Sequence, residues 1–244
     1  SPTWGTNSQN SLPLMTYSGT HGEYHDWEKI SDIRTVFWVV RKNGTDSNRF
    51  LLGDWTGSGS SGDYNFHASG NNYLHSGHAS TAYAGTLREN GSVITNPQGT
   101  PLPQSLSVIS LRSYSDLKAS NFTNDRNIGG RTWKGDLGEL LIFNEALEDN
   151  EIETIEGYLA HKWGIGNTLP SSHSYRNSRP STFDGQNWEP SDSLAKLYWL
   201  DKSNQRNHAT AYGSPSLDQN TQNGLKLMTY TGANGEFHEW EKIN

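Results

Sequence analysis

The 244-residue chain contains no cysteine, which excludes a disulfide framework and any Cys-based zinc or redox site. Basic residues are scarce as well: 19 Lys and Arg stand against 26 Asp and Glu, for a formal charge of −7. Nucleic-acid binders carry a basic face, so that class of partner drops out. Long apolar runs are also missing. The longest is Val36–Val40, far short of the ~20 residues that a membrane-spanning helix needs. Leu, Ile, Val and Phe together supply under a fifth of the chain, a level at which disorder enters consideration. Nine Trp and eleven Tyr oppose it, because each aromatic ring buries a large apolar area, and the net charge is too small for a disordered chain. The expectation is an ordered, polar, aromatic-rich globular protein, one large domain or two small ones at about 150 residues each. No signal peptide opens the sequence, and Ser1-Pro2 reads as a cut from something longer.

Self-similarity frames the rest. The segment SPTWGTNSQNSLPLMTYSGTHGEYHDWEKIS at Ser1–Ser31 returns as SPSLDQNTQNGLKLMTYTGANGEFHEWEKIN at Ser214–Asn244. Met15 corresponds to Met228 and Trp27 to Trp240, a constant offset of 213 residues with no gap. Eighteen of the 31 positions are identical, and Tyr24/Phe237, Asp26/Glu239 and Ser18/Thr231 are conservative exchanges. The plain explanation, two similar hairpins flanking one domain, does not require the same side chains. A window across a tandem array of 213-residue units does. A unit that long is a domain rather than a solenoid repeat.

Between the copies the patterning is mostly that of strands. Arg34–Lys42 is rich in β-branched and aromatic residues, Arg49–Gly53 is a second short apolar run, and Ser105–Tyr114 alternates around serines. Leu87–Ile94 is written as a hairpin, with Asn90-Gly91 supplying the positive φ angles of a type I′ turn. Gly135–Phe143 is apolar on both faces after Glu139 and is expected deep in the core. One helix stands out over Glu148–Trp163, where Ile152, Ile155, Leu159 and Trp163 share a face. Acidic residues open it, His161 and Lys162 close it, and Gly164 is placed to stop it. Asn167–Asn187 reads as a linker, and Ala195–Asp201 as a fresh strand. Short strands, frequent turns and one helix predict an all-β fold, an antiparallel β-sandwich with jelly-roll wiring and one short helix near the end of the unit.

Two stretches carry a family resemblance. Gly135–Tyr175, with its YLAHKWG helix end and the tail Leu169-Pro170-Ser171-Ser172-His173-Ser174-Tyr175, resembles the C-terminal signature of bacterial laminin G-like domains of the concanavalin A-like lectin/glucanase superfamily. Ser174 stands where that tail usually has Pro. RTVFWVV with FLLGD, and NDRNIGGRTWKGD at Asn124–Asp136, are similar to members found in large secreted or surface proteins. Asp201-Lys202-Ser203 with Asn207-His208-Ala209 resembles the DKSG.GNHA segment near the start of such domains. The resemblance implies a concanavalin A-like fold and an extracellular or cell-surface location. It also divides the chain: 1–187 is expected to be a laminin G-like domain lacking its opening strand, and 188–244 the opening strands of the next repeat. Those strands either complete the first domain as a permutant or complete a neighbouring unit.

The residues bear on four kinds of chemistry. Glucanases of the superfamily carry Glu-x-Asp-x-(x)-Glu on one strand, with carboxylates ~5–5.5 Å apart. The nearest match is Glu23, Asp26 and Glu28, but Glu23 would point away from the other two on a strand, so no catalysis is expected. His75 and His78 form an H-x-x-H pair without a third ligand. Laminin G-like domains often bind calcium at one rim, and Asp54 and Asp63 flank a Gly/Ser loop as candidate ligands; the competing role is turn capping. Trp55, Tyr64, His67, Asn71, Asn72 and Tyr73 put aromatic rings beside amides in one segment, as a carbohydrate site requires. The alternative is that Trp55, Phe66 and Tyr73 pin a long loop to the sandwich. The expected function is a non-catalytic structural or adhesive repeat with adjacent copies of itself as partners, through strand complementation or fibre contacts, and with polysaccharide or glycan as the ligand class. The alternative is a calcium-dependent lectin module.

Overall fold

The computed structural model describes residues 1–47, 49, 51–54, 65–124 and 128–180, and strand backbone at 182–183, 186–187, 198–199, 209–212, 216–222, 225–229 and 237–240. The chain divides into two compact units, Ser1–Pro180 and Ser181–Asn244, a few residues ahead of the boundary expected from the sequence.

The first unit is built on a seven-stranded sheet in the order β1-β2-β7-β3-β6-β4-β5. Its strands are β1 (Thr3–Gln9), β2 (Leu12–Ser18), β3 (His25–Lys42), β4 (Thr86–Glu89), β5 (Ser92–Val93), β6 (Ser107–Phe122) and β7 (Lys134–Phe143). Every pairing is antiparallel. The fold is all-β, sandwich-like in its layering; among the described residues α2 (Asp149–Lys162) is the one helix of seven or more residues, beside the single turn of α1 (Ser80–Tyr83) and the 3-10 turn Gly166–Thr168.

β3 is the spine. Val36 through Val40 are all at most 1% exposed, because β3 lies between β7 and β6 and both of its faces are covered. On one face Val36, Trp38 and Val40 join Ile109 and Leu111 in a core closed by Leu52, Phe66, Tyr73, Leu74, Ala79 and Leu102. On the other face Phe37 meets Phe143 edge-on at 5.9 Å, and α2 buries Ile152, Ile155 and Leu159. Four consecutive buried apolar residues such as Phe37–Val40 are what a two-sided strand requires. Nearer its start β3 shifts register against β6 three times, between Asp26 and Thr35. Such bulges bend a strand and increase its twist.

The helix follows its sequence signals closely. The Glu148 amide donates to Glu151 Oε2 at 2.7 Å, half of a capping box that satisfies an otherwise orphaned donor. Trp163 is buried at the other end, and Gly164 takes φ +68°, the left-handed stop expected of it. The Asn90-Gly91 turn has φ of 47° and 77°, as a type I′ hairpin demands.

Three expectations are corrected. Arg49–Gly53 is not a strand: among its described residues only Gly53 makes a β-bridge, to Asn121. β7 is half-buried from Leu137 to Phe143 rather than deep, because β2 covers only its first four residues and that side is then without a described strand. Residues 167–180 are not a loose linker. Leu169 and His173 are buried there, and His161 Nε2 donates to the Tyr175 carbonyl at 2.7 Å.

The second unit contains β8 (Thr182–Phe183), β9 (Gln186–Asn187), β10 (Tyr198–Trp199), β11 (Ala209–Tyr212), β12 (Ser216–Gln222), β13 (Leu225–Thr229) and β14 (Phe237–Trp240). They form one three-stranded sheet, β10-β11-β14, and the hairpins β12-β13 and β8-β9.

Candidate functional site

The two copies of the repeat fold into the same hairpin. In the first, Thr3 pairs with Thr16, Trp4 with Met15, Ser8 with Pro13 and Gln9 with Leu12, with an irregularity after Trp4. In the second, Ser216 pairs with Thr229, Leu217 with Met228, Thr221 with Lys226 and Gln222 with Leu225, with an irregularity after Leu217. Each second-copy pair lies 213 residues after its counterpart.

In the first unit this hairpin is seated on β7. Met15 pairs with Leu137, Thr16 with Asp136, Tyr17 with Gly135 and Ser18 with Lys134. Leu14 and Tyr17 anchor it at 0% and 1% exposure. Tyr17 packs on Phe122 at 5.1 Å between ring centroids, and its hydroxyl lies 2.7 Å from His25 Nδ1. Burial, and secondarily the charge of Glu23, push the Tyr17 phenol well above its ordinary range. Thr16 Oγ1 donates to the buried Asp136 carboxylate at 2.5 Å, and Asp136 is also paired with Arg41. At the tip, Asn10 Nδ2 donates to the Lys162 carbonyl at 2.9 Å, which satisfies one of the open carbonyls at the end of α2.

Gly135, which faces Tyr17 of the hairpin on one side, lets β7 close on β3 on the other: it holds φ +146°, and a β-carbon there would lie 2.1 Å from the Arg41 carbonyl oxygen. Only glycine meets both conditions.

The carbohydrate candidates divide. Trp55 and Tyr64, and Asp63 of the calcium pair, lie outside the described residues. Tyr73 is 3% exposed and its hydroxyl donates to Glu89 Oε2 at 2.8 Å, so its ring face is covered by protein. Burial, then the neighbouring Glu89 charge, hold its phenol well above the usual value. Asn72 Nδ2 donates to the Gln98 carbonyl at 2.7 Å, and His67 Nδ1 lies 2.7 Å from the Ala68 carbonyl. Phe66 and Tyr73 thus pin the loop to the sheet. The space beneath it, against Trp38 and Leu111, closes to about 10 Å³, the lower limit for one water.

Asp54 is 1% exposed, ion-paired with Lys29 and hydrogen-bonded by Ser120 Oγ at 3.2 Å. Its charge is matched within the protein. Glu23 is buried, accepting from the Ser18 amide at 2.7 Å and its hydroxyl at 2.9 Å, whereas Asp26 and Glu28 are exposed on β3. The three carboxylates do not converge.

The sequence showed His75 and His78 without a third partner, and the fold brings His67 to them. The rings cluster with centroids 4.4–5.9 Å apart, His67 edge-on to His75 and the other two pairs tilted. His75 Nδ1, however, accepts the Gly77 and His78 amides, and among the described residues no group of three such side chains is placed to hold a metal ion. Two aromatic residues that patterning did not single out are open to solvent, Trp4 at 63% and Tyr114 at 75% exposure. Trp4 lies on the edge strand β1, in the part of the repeat where the second copy has Leu217. A polar cleft of about 430 Å³ opens beyond the end of α2, lined by His161, Asn167, Arg176 and Asn177 among others.

No family model, no curated protein and no solved structure matches this chain. Its function therefore rests on the geometry above.

Proposed function

We propose that this chain is a non-catalytic structural or adhesive repeat module of an extracellular or cell-surface tandem-repeat protein, laminin G-like in descent and jelly-roll in wiring. One observation carries the proposal: a segment repeated at 213 residues adopts the same hairpin in the same register twice. The side chains that seat the first hairpin on β7 are Leu14, Met15, Thr16 and Tyr17, and Leu227, Met228, Thr229 and Tyr230 repeat them without change. Serial copies add length and valency, and avidity rises without new kinds of contact. A net charge of −7 keeps such an array apart in solution. Carbohydrate is the proposed ligand class, with the exposed rings of Trp4 and Tyr114 as the described surfaces a sugar can stack on.

Small-angle scattering from chains of one, two and three periods tests the array. The maximum dimension is expected to grow by a constant step per period, with the melting midpoint maintained. Added periods that remain unfolded, or a dimension that stays constant, would sink the proposal. For a calcium-dependent lectin, Asp54 has to exchange Lys29 for the cation. A melt repeated with calcium and then chelator reads this directly, and an unchanged midpoint removes that alternative.

A further inference from the structure

We infer that the second-copy hairpin β12–β13 is a competitor for the β7 edge, and that one chain's Ser214–Thr229 segment displaces β1–β2 from β7 of a second copy of the chain. The inference rests on the repeat reading and names the partner surface: the backbone edge of Lys134–Leu137.

Three observations support it. First, β2 has two edges, one taken by β1 and one by β7. β13 pairs with β12 in the register of β2 with β1, within a two-stranded sheet. Its second edge is therefore the counterpart of the one that β2 gives to β7. Register then sets Met228 opposite Leu137 and Thr229 opposite Asp136. Second, the anchors are retained. Leu227 and Tyr230 match the buried Leu14 and Tyr17, Thr229 matches the Thr16 hydroxyl that binds Asp136, and Asn223 matches the Asn10 amide that caps α2. Third, the turn favours the competitor. The first copy turns through Asn10-Ser11 with φ of 50° and 62°, a conformation that costs serine energy. At the same place the second copy has Asn223-Gly224, the preferred pair for a type I′ turn.

Because the chain has no cysteine, a single engineered pair reports the exchange without background. Leu137→Cys with Met15→Cys gives the reference cross-link within the first unit. Leu137→Cys with Met228→Cys is expected to give disulfide-linked dimers and higher ladders whose yield rises with protein concentration. Adding Leu14→Ala, which weakens the resident hairpin, is expected to raise that yield severalfold, and Leu227→Ala to lower it. Failure to cross-link where the reference pair oxidises fully overturns the inference, as does a disulfide confined to single chains. If Leu137→Cys does not fold, Lys134→Cys with Thr231→Cys, against Lys134→Cys with Ser18→Cys as reference, asks the same question three residues along β7. A failed exchange leaves the scattering test of the array unaffected, so the two failures are distinguishable.

Discussion

Gly157 lies inside α2, where replacement by alanine ordinarily stabilises a helix by about 1 kcal/mol. Here a β-carbon would come within 2.5 Å of the Tyr175 β-carbon, and Tyr175 is tied down through its carbonyl to His161. Overpacking of this kind costs about 1–3 kcal/mol, so Gly157→Ala should lower the denaturant midpoint, against the helix-propensity expectation. A higher midpoint would show that the tail moves freely. Nearby, Glu156 is 0% exposed, accepts the Ser110 hydroxyl at 2.5 Å and lies 3.4 Å from His173 Nε2. His173 Nδ1 accepts the Tyr175 amide, which leaves the ring proton on Nε2, facing the carboxylate. Leaving a buried polar group without its partner costs about 1–3 kcal/mol. His173→Ala should reach that range in chemical denaturation, and a loss below ~1 kcal/mol would contradict the buried pairing. The YLAHKWG and tail residues that carried the family resemblance are thus parts of a clamp. Tyr175 closes on Gly157, His173 on Glu156, and Trp163 Nε1 on Glu139 at 3.0 Å.

Among the elements, the β1–β2 hairpin invites a direct test. Ser11 holds φ 62°, where glycine is at ease and serine is not. Ser11→Gly, which writes the second copy's turn into the first, should raise stability by roughly 0.5–1 kcal/mol, read as a midpoint shift at unchanged denaturant slope. A loss would mean that the Ser11 side chain has a role the turn geometry does not require. The elements also show where patterning succeeds. α2, the Asn90-Gly91 hairpin and the central strand were legible because periodicity, caps and turn pairs are local signals. The extent of β3 was not: its exposed first half, His25–Asp32, is polar and is held in the sheet by β6, a partner far along the chain. The 167–180 tail looked like a linker for a related reason. Its Ser, Pro and Asn composition is that of a loop, and only packing against α2 reveals Leu169, His173 and Tyr175 as anchors. Tyr73 was ambiguous for a similar reason, since a tyrosine among asparagines reads alike whether it stacks on a sugar or fills the core, as Tyr73 does.

For the whole molecule, the buried titrating groups set a limit at high pH. Burial, with Glu23 and Glu89 respectively, raises the Tyr17 and Tyr73 phenols. For Lys162 burial works against the charge, but the hydrogen bond and attraction of Glu139 outweigh it and raise the ammonium. A group raised on folding gives stability that is complete below its unfolded pKa and is lost as pH climbs through the folded one. With unfolded values of about 10 for Tyr and 10.4 for Lys, all three contributions fade above about pH 10. Lys42 has the opposite sign: burial lowers it, so it regains stability as pH rises toward the ordinary lysine value. The balance predicts a melting temperature that falls above about pH 10. In an absorbance titration, Tyr17 and Tyr73 should ionise only as the chain unfolds. Eleven tyrosines titrating together in the folded state would refute it.

The seating of the hairpin also has a consequence under load. Among the described strands β1 is outermost and pairs only with β2, starting from Thr3 opposite Thr16. Antiparallel ladder bonds lie across the strands, so tension applied at Ser1 peels them singly from that end. β3, bonded on both sides over Thr35–Lys42, has to give up many bonds at once. Pulled at Ser1 and Pro180, the first unit is therefore expected to yield at the β1–β2 hairpin before its core, so that the hairpin acts as a mechanical fuse while the remaining sheet stays folded.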